Sequence, residues 1–248
     1  MSQEVWIYGK HPVLEWLRNQ PQNILKVGLL QGSRDVSLEK GLENTVGVKP
    51  PCVYMSRQEI EKKVGKVVHQ GVVAQVRGFE YAEIESVLEK VQDANPLWVA
   101  LDHIQDPHNV GAVLRTAHAM GCTGVLMPKD RACEVTPVVM KSSAGAAAHI
   151  PVCKVTNLNR ALDALKDRGY WVVGLAAEGA QLLDEIDCVR PLVLVVGSEG
   201  DGLSKGVRDR CDYVAKIAMK GQVGSLNASV ACGMALYEIV RQQSKKSG

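Results

Sequence analysis

Leu192-Val193-Leu194-Val195-Val196-Gly197-Ser198-Glu199-Gly200-Asp201-Gly202-Leu203 runs from the most apolar stretch of the chain directly into a loop of glycines and carboxylates. Five consecutive aliphatic residues without polar alternation are the pattern of a strand buried on both faces, as in a parallel sheet covered by helices. A polar, glycine-rich turn directly after such a strand lies where open α/β sheets place their binding sites. The spacing is GxxGxG, not GxGxxG, and Leu203 stands where a phosphate-binding loop needs lysine. Glu199 and Asp201 would repel a polyphosphate. The loop therefore suits a neutral or cationic ligand held through backbone groups, with a tight strand-to-helix turn needing left-handed glycine as the competing reading.

Outward from this strand, short apolar runs alternate with helical patterns from Pro96 onward, which predicts an α/β domain over 96–248 with a parallel sheet. The runs are Leu97–Leu101, Gly124–Met127, Trp171–Leu175, Leu192–Val196 and Val214–Ile217. A helix is expected after Asn109 as N-cap, ending at Gly121, with Val110, Val113, Leu114 and Ala117 on one face. Others are expected over Leu158–Arg168 and from about Asn227 to Gln242. Residues 1–77 read as a separate small α/β unit, with apolar stretches at Val27–Leu30 and Val72–Val76 and helices after Pro12 and Arg57. Residues 78–95 read as a linker containing an amphipathic helix with Ile84, Val87, Leu88 and Val91 at i, i+3, i+4, i+7, its end marked by Pro96.

The composition excludes several classes. Lys plus Arg number 29 against 27 Asp plus Glu, so the net charge of +2 leaves no polybasic or acidic tail, and any nucleic-acid site must be a local patch. No stretch of about 18 uninterrupted apolar residues occurs, so no membrane span is expected, and the N-terminus has no long apolar signal core. A soluble, cytoplasmic protein is the expectation. The seven cysteines stand singly with no CxxC pair, which argues against a disulfide framework and a zinc site.

Two further loops follow expected strands. Asp102-His103-Ile104-Gln105-Asp106-Pro107-His108-Asn109 leads into a helix that carries Arg115 about two turns on. Two His and two Asp on one short loop invite a metal, but nothing fixes them at ligand spacing, and no metal is expected. Ile217-Ala218-Met219-Lys220-Gly221 through Gly224-Ser225-Leu226-Asn227 ends at a helix start, where Ser225 and Asn227 also suit a capping role. Each segment alone reads as turn and cap. Three polar loops after strands of one parallel sheet can converge on one edge, which favours a site.

In this order, the three segments resemble the motifs of the SpoU branch of the SPOUT methyltransferases. The first pattern appears as Asn109, Gly111-Ala112 and Arg115-Thr116-Ala117. The second appears as Val196-Gly197-Ser198-Glu199-Gly200 with Gly202-Leu203, and the third as Ile217, Met219, Gly221, Ser225-Leu226-Asn227 and Ser229. The likeness continues through Lys141–Ala146 and His149–Val152, so it spans roughly 95–242. Ile7-Tyr8-Gly9 with Val13-Leu14-Glu15, and His69–Ala74, resemble the accessory RNA-binding domain of the branch, a ribosomal-protein-like unit. That unit is nearest to the one in enzymes that methylate a guanosine of large-subunit (23S) ribosomal RNA.

The resemblance implies a C-terminal domain with a deep trefoil knot, which periodicity alone would never suggest. It also implies a homodimer, with Val230, Met234 and Tyr237 on the last helix as a candidate contact. The implied reaction moves a methyl group from S-adenosylmethionine to a ribose 2′-hydroxyl of RNA. Gly197, Ile217 and Leu226, with Val196 and Met219, are the implied cofactor residues. Asn109, Arg115, Glu199, Ser225 and Asn227 are the implied catalytic set. Lys10, His11, Arg18 and His69 are candidate RNA contacts in the small unit. A guanidinium is a poor base, so Arg115 is read as a fork that grips phosphate, with Glu199 orienting it. The alternatives are a tRNA 2′-O-methyltransferase of the same branch and a non-catalytic RNA-binding protein of ribosome assembly.

Overall fold

A computed structural model describes residues 4–19, 21–32, 40–42, 49–221 and 224–246, which fall into two units, Met1–Glu80 and Tyr81–Gly248. Gln222 and Val223 of the third motif segment lie outside the described residues, as does the side chain of Glu15.

The first unit runs β1 (Glu4–Tyr8), α1 (Lys10–Asn19), β2 (Ile24–Leu30), β3 (Cys52–Met55), α2 (Arg57–Val64) and β4 (Val72–Arg77). Its sheet order is β1-β4-β2-β3, with β4 antiparallel to both neighbours and β3 parallel to β2. Val13, Leu14 and Leu17 of α1 pack with Ile7, Ile24, Val27 and Val76 of the sheet, the i, i+1, i+4 spacing giving α1 one apolar face. Periodicity missed β1 and β3. The edge strand β3 is mostly exposed and so carries no buried alternation to detect.

The second unit runs α3 (Ile84–Leu88), β5 (Leu97–Asp102), α4 (Pro107–Ala119), β6 (Gly124–Pro128), α5 (Pro137–Ser142), β7 (Val152–Val155), α6 (Leu158–Lys166), β8 (Trp171–Leu175), β9 (Gln181–Leu182), β10 (Leu192–Gly197), α7 (Lys205–Arg208), β11 (Tyr213–Lys216) and α8 (Ala228–Lys246). The seven-stranded sheet has the order β7-β6-β5-β10-β8-β11-β9, and every pairing is parallel. All residues of β5 and β10 are buried, which is why both read as continuous apolar runs. Trp98, Leu126, Val193 and Val195 of the sheet pack with Leu162 and Leu165 of α6 in one cluster, where truncating a leucine to alanine costs about 2–5 kcal/mol. Ile84, Val87 and Leu88 pack on this cluster and Ala82 N donates to Val152 O at 2.8 Å, so the stretch read as linker is largely built into the second unit.

The start of α4 differs from the expectation. Asp106, not Asn109, is the N-cap: its carboxylate accepts from His108 N at 2.9 Å and Pro107 opens the helix. Asn109 is thereby carried inside the helix and buried at 6% exposure. Gly111 lets α4 meet the end of α5 closely, since a Cβ there would lie 1.8 Å from Ser142 Oγ and 2.9 Å from Ser143 N. The last helix begins at Ala228, capped by the Asn227 side chain, whose Oδ1 accepts from Ser229 N at 3.0 Å and Val230 N at 3.3 Å.

Candidate active site

Parallel pairing sets Gly197 opposite Asp102, so the loops after β10 and β5 leave the same sheet edge side by side. The loop after β10 folds back on itself: Ser198 N donates to Gly202 O at 3.1 Å and Gly202 N to Ser198 O at 3.0 Å. Gly200 and Gly202 take left-handed φ of 96° and 66°, which L side chains rarely adopt. The tight return holds Glu199 at the sheet edge. Its Oε1 accepts from Asn109 Nδ2 at 2.9 Å, Asn227 Nδ2 at 2.5 Å and Ala228 N at 3.4 Å, and Asn227 Nδ2 also reaches Asn109 Oδ1 at 2.9 Å. One residue from each of the three sequence segments therefore meets in a single network.

Beside that network lies a cavity of about 470 Å³, within the roughly 300–1,000 Å³ usual for small-molecule sites. Val196, Gly197, Ile217, Met219 and Leu226 line it, together with Glu199, Ser225 and Asn227. A side chain at Gly197 would displace the returning loop that lines the cavity, because a Cβ there would sit 2.2 Å from Gly202 backbone atoms. Sequence reading missed the wall made by Ala176, Ala177 and Glu178 after β8. The available signal was position, a polar residue just past a buried parallel strand. Glu178 is held below the usual carboxylate range by its own backbone N–H and by the Arg208 side chain paired with it. Apolar walls, backbone edges and two carboxylates fit a ligand that joins apolar surface to a cationic centre. They do not fit a polyphosphate.

Arg115 is not part of this network. Six residues beyond Asn109 it is rotated about 240° around α4 and displaced about 9 Å along it, and it is exposed, lining neither this cavity nor the one described below. Glu199 holds two asparagine amides instead of the Arg115 fork that the sequence reading gave it. In the first unit His11 and Arg18 are exposed and Lys10 half-buried, whereas His69 is buried at 7% and its Nδ1 accepts from Gly71 N at 3.1 Å. His69 therefore shapes the turn into β4 and is not offered to RNA. Among the described residues no group of three or more His, Cys, Asp or Glu is placed to hold a metal ion. The cysteines are free. Burial pushes Cys122 and Cys153 up to about 12 and Cys188 and Cys211 up to about 11, so none of these four is a ready thiolate nucleophile.

Residues 96–237 match the SpoU rRNA Methylase family, and residues 6–82 match the domain described as RNA 2′-O ribose methyltransferase substrate binding. The chain belongs to the SpoU rRNA methylase family. Among curated proteins it is 43% identical over 249 residues to the 23S rRNA (guanosine-2′-O-)-methyltransferase RlmB of Pseudomonas putida, covering 99% of this chain and 100% of that one. It is 41% identical to the protein of the same name from Coxiella burnetii, with 98% of each chain covered. Among solved structures, the SpoU methyltransferase AviRb from Streptomyces viridochromogenes in complex with the cofactor AdoMet superposes with a TM-score of 0.75 at 25% identity, covering 97% of this chain and 91% of that one. Among the described residues no helix is long and apolar enough to cross a membrane.

Proposed function

We propose that this chain transfers a methyl group from S-adenosylmethionine to the 2′-hydroxyl of a guanosine in 23S ribosomal RNA. The observation that carries the reading is the Asn109–Glu199–Asn227 network at the wall of the first cavity, which joins the first turn of α4, the loop after β10 and the cap of α8. Relatives of that named activity that span essentially the whole chain support the ribosomal target over tRNA. An RNA target of this kind puts the enzyme in the cytoplasm.

When bound, S-adenosylmethionine supplies a methyl carbon activated by the sulfonium charge, so the new O–C bond forms as the C–S bond breaks and its electron pair returns to sulfur. The chain must hold, orient and deprotonate. Gly197, Ile217 and Leu226 offer backbone groups to the cofactor, and Val196 and Met219 apolar surface. Glu199 gathers the Asn109 and Asn227 amides into fixed orientations, which costs no rearrangement when charge develops on the ribose oxygen. Ser225, on the same wall two residues before Asn227, offers a hydroxyl to the transfer site. Arg115 grips an RNA phosphate, and its positive charge eases loss of the 2′-proton to water. We assign delivery of the RNA to the first unit, with Lys10, His11 and Arg18 as contacts.

We further infer a homodimer. Val230, Met234 and Tyr237 form a stripe on α8 that is 51%, 48% and 63% exposed, and a Cβ at Gly233 would lie 3.6 Å from Thr116 on the neighbouring α4. Arg115 is exposed on α4, which packs on α8, and lines neither cavity of its own subunit; we infer that in the dimer it acts on RNA at the partner's cavity. Mixing Arg115→Ala and Asn109→Ala subunits then restores about a quarter of wild-type activity, since half the dimers are mixed and each has one intact site. Calorimetry with S-adenosylmethionine, ATP and NAD tests the cofactor assignment: binding of the first alone is expected, and a preference for ATP or NAD overturns it.

A further inference from the structure

A second cavity of about 420 Å³ opens at the C-terminal ends of β5 and β10 and shares Ser198, Glu199 and Gly202 with the first. The two cavities thus adjoin along Ser198, Glu199 and Gly202. Buried Asp102 braces the second cavity: its Oδ2 accepts from Ser204 N at 2.6 Å and its Oδ1 lies 2.5 Å from His103 Nδ1. The loop after β6, which carries Arg131, is tied to the loop after β5 by Cys133 N donating to Ile104 O at 3.1 Å. Loops from three strands are therefore braced around one hollow.

Two charged groups line this hollow without a partner. Neither the Arg131 guanidinium nor the Asp201 carboxylate makes a hydrogen bond or ion pair with the described residues. Asp106 is different, because its Oδ1 is already engaged by His108 N as a helix cap. His103 and Arg131 hold left-handed φ of 60° and 55°, two of the four such non-glycine residues in the described chain. Strained backbone of this kind persists where the surrounding structure imposes it, and it gathers at ligand sites.

We propose that the second cavity receives the target nucleotide, flipped out of the RNA, with Asp201 reading guanine and Arg131 holding the adjoining phosphate. The proposal rests on the function inferred above and adds the base selectivity of that site. Guanine presents two neighbouring donors, N1–H and the 2-amino group, which match the two oxygens of one carboxylate. Adenine and cytosine present a ring-nitrogen acceptor at that edge, which faces the carboxylate's lone pairs, and uracil offers a single N–H between two carbonyls. Arg131 supplies a fork suited to phosphate. With the base in this cavity, the ribose 2′-hydroxyl is directed to the rim that the two cavities share at Ser198, Glu199 and Gly202, where it meets the methyl donor held in the first.

The test uses the full chain saturated with S-adenosylmethionine and the probes 5′-GMP, 5′-AMP and 5′-XMP, followed by NMR titration. Wild type is expected to bind GMP about tenfold more tightly than AMP or XMP. In Asp201→Asn the amide accepts from xanthine N1–H and donates to its 2-carbonyl, so preference is expected to move from GMP to XMP, an exchange that general disruption of the loop does not produce. Arg131→Ala is expected to weaken GMP but not guanosine. Equal binding of GMP and AMP by wild type, no detectable binding of either, or a GMP preference that survives in Asp201→Asn overturns the proposal. Methylation of ribosomal RNA by the wild-type protein is scored in parallel. Transfer to RNA with no guanine preference in the cavity refutes this inference alone, while absence of transfer refutes the function beneath it.

Discussion

Replacing Asn109 by Asp changes one atom of the central network and should make the protein's stability depend on pH. The new oxygen takes the place of Nδ2, 2.9 Å from Glu199 Oε1, so a donor–acceptor contact becomes two carboxylates face to face. At that distance two like charges repel by about 1.4 kcal/mol in bulk water and about 6 kcal/mol at an effective dielectric of about 20. Asn109 is buried and Glu199 exposed, which sets the value between these limits, at about 3 kcal/mol. That corresponds to roughly two pKa units, so the pair in the folded variant takes up one proton with an apparent value near 6, against about 4 in the unfolded chain. A folded-state value raised in this way leaves stability intact below about pH 4 and removes it as pH rises through 6. The assay is thermal and urea unfolding of wild type, Asn109→Asp and Asn109→Ala from pH 4.5 to 8. Asn109→Asp should match wild type within about 1 kcal/mol at the acid end and lose about 3 kcal/mol, or roughly 6–12 °C, at pH 8. Asn109→Ala, which loses a donor without adding charge, should be destabilised by about 1–3 kcal/mol with no such pH dependence. An Asn109→Asp protein whose deficit is the same at both ends of the range would refute the geometry.

Arg115→Lys keeps the charge but not the fork, so single-turnover methylation should fall by about a hundredfold with cofactor affinity nearly unchanged, and Arg115→Ala should fall further; a Lys variant that recovers wild-type rate as pH rises would make the residue a base instead of a clamp. Gly197→Ala must push the Gly202 backbone away from 2.2 Å, so calorimetry should find S-adenosylmethionine binding lost while the fold, followed by circular dichroism, persists. Glu238 is lowered to about 2, chiefly by the hydrogen-bonded Arg241 guanidinium, so its contribution is present above the unfolded value near 4.3 and is lost as pH falls through 2. Glu238→Gln should therefore cost about 0.5–1 kcal/mol in urea unfolding at pH 7, and the difference from wild type should vanish near pH 2.

The parts of the fold that bury both faces were legible from residue pattern alone. β5, β8 and β10 announce themselves because the helices on either side leave no polar face to interrupt the apolar run. β9 has only two residues and β3 is exposed, so neither carries a periodic signal. Asn109 shows how local chemistry misleads: asparagine before an apolar helical face reads as a cap, yet Asp106-Pro107 three residues earlier is the stronger start, and it moves the Asn109 amide onto Glu199. Motif order suggested that the three loops converge on one edge, but which side chains meet there depends on helix rotation. That is why Asn227 joins Glu199 while Arg115 faces away from it. The wall after β8 and the Arg131 loop carry no motif and became visible only once the sheet order was known.

Transfer of labelled methyl from S-adenosylmethionine to unmodified 23S ribosomal RNA, followed by alkaline hydrolysis and mapping of the label, tests the central claim most directly. A ribose 2′-O-methyl group blocks cleavage at its own linkage, so the account predicts label confined to one alkali-resistant dinucleotide that begins with guanosine. Label on a base, label spread over other nucleotides, or no transfer by a protein that binds S-adenosylmethionine would contradict it.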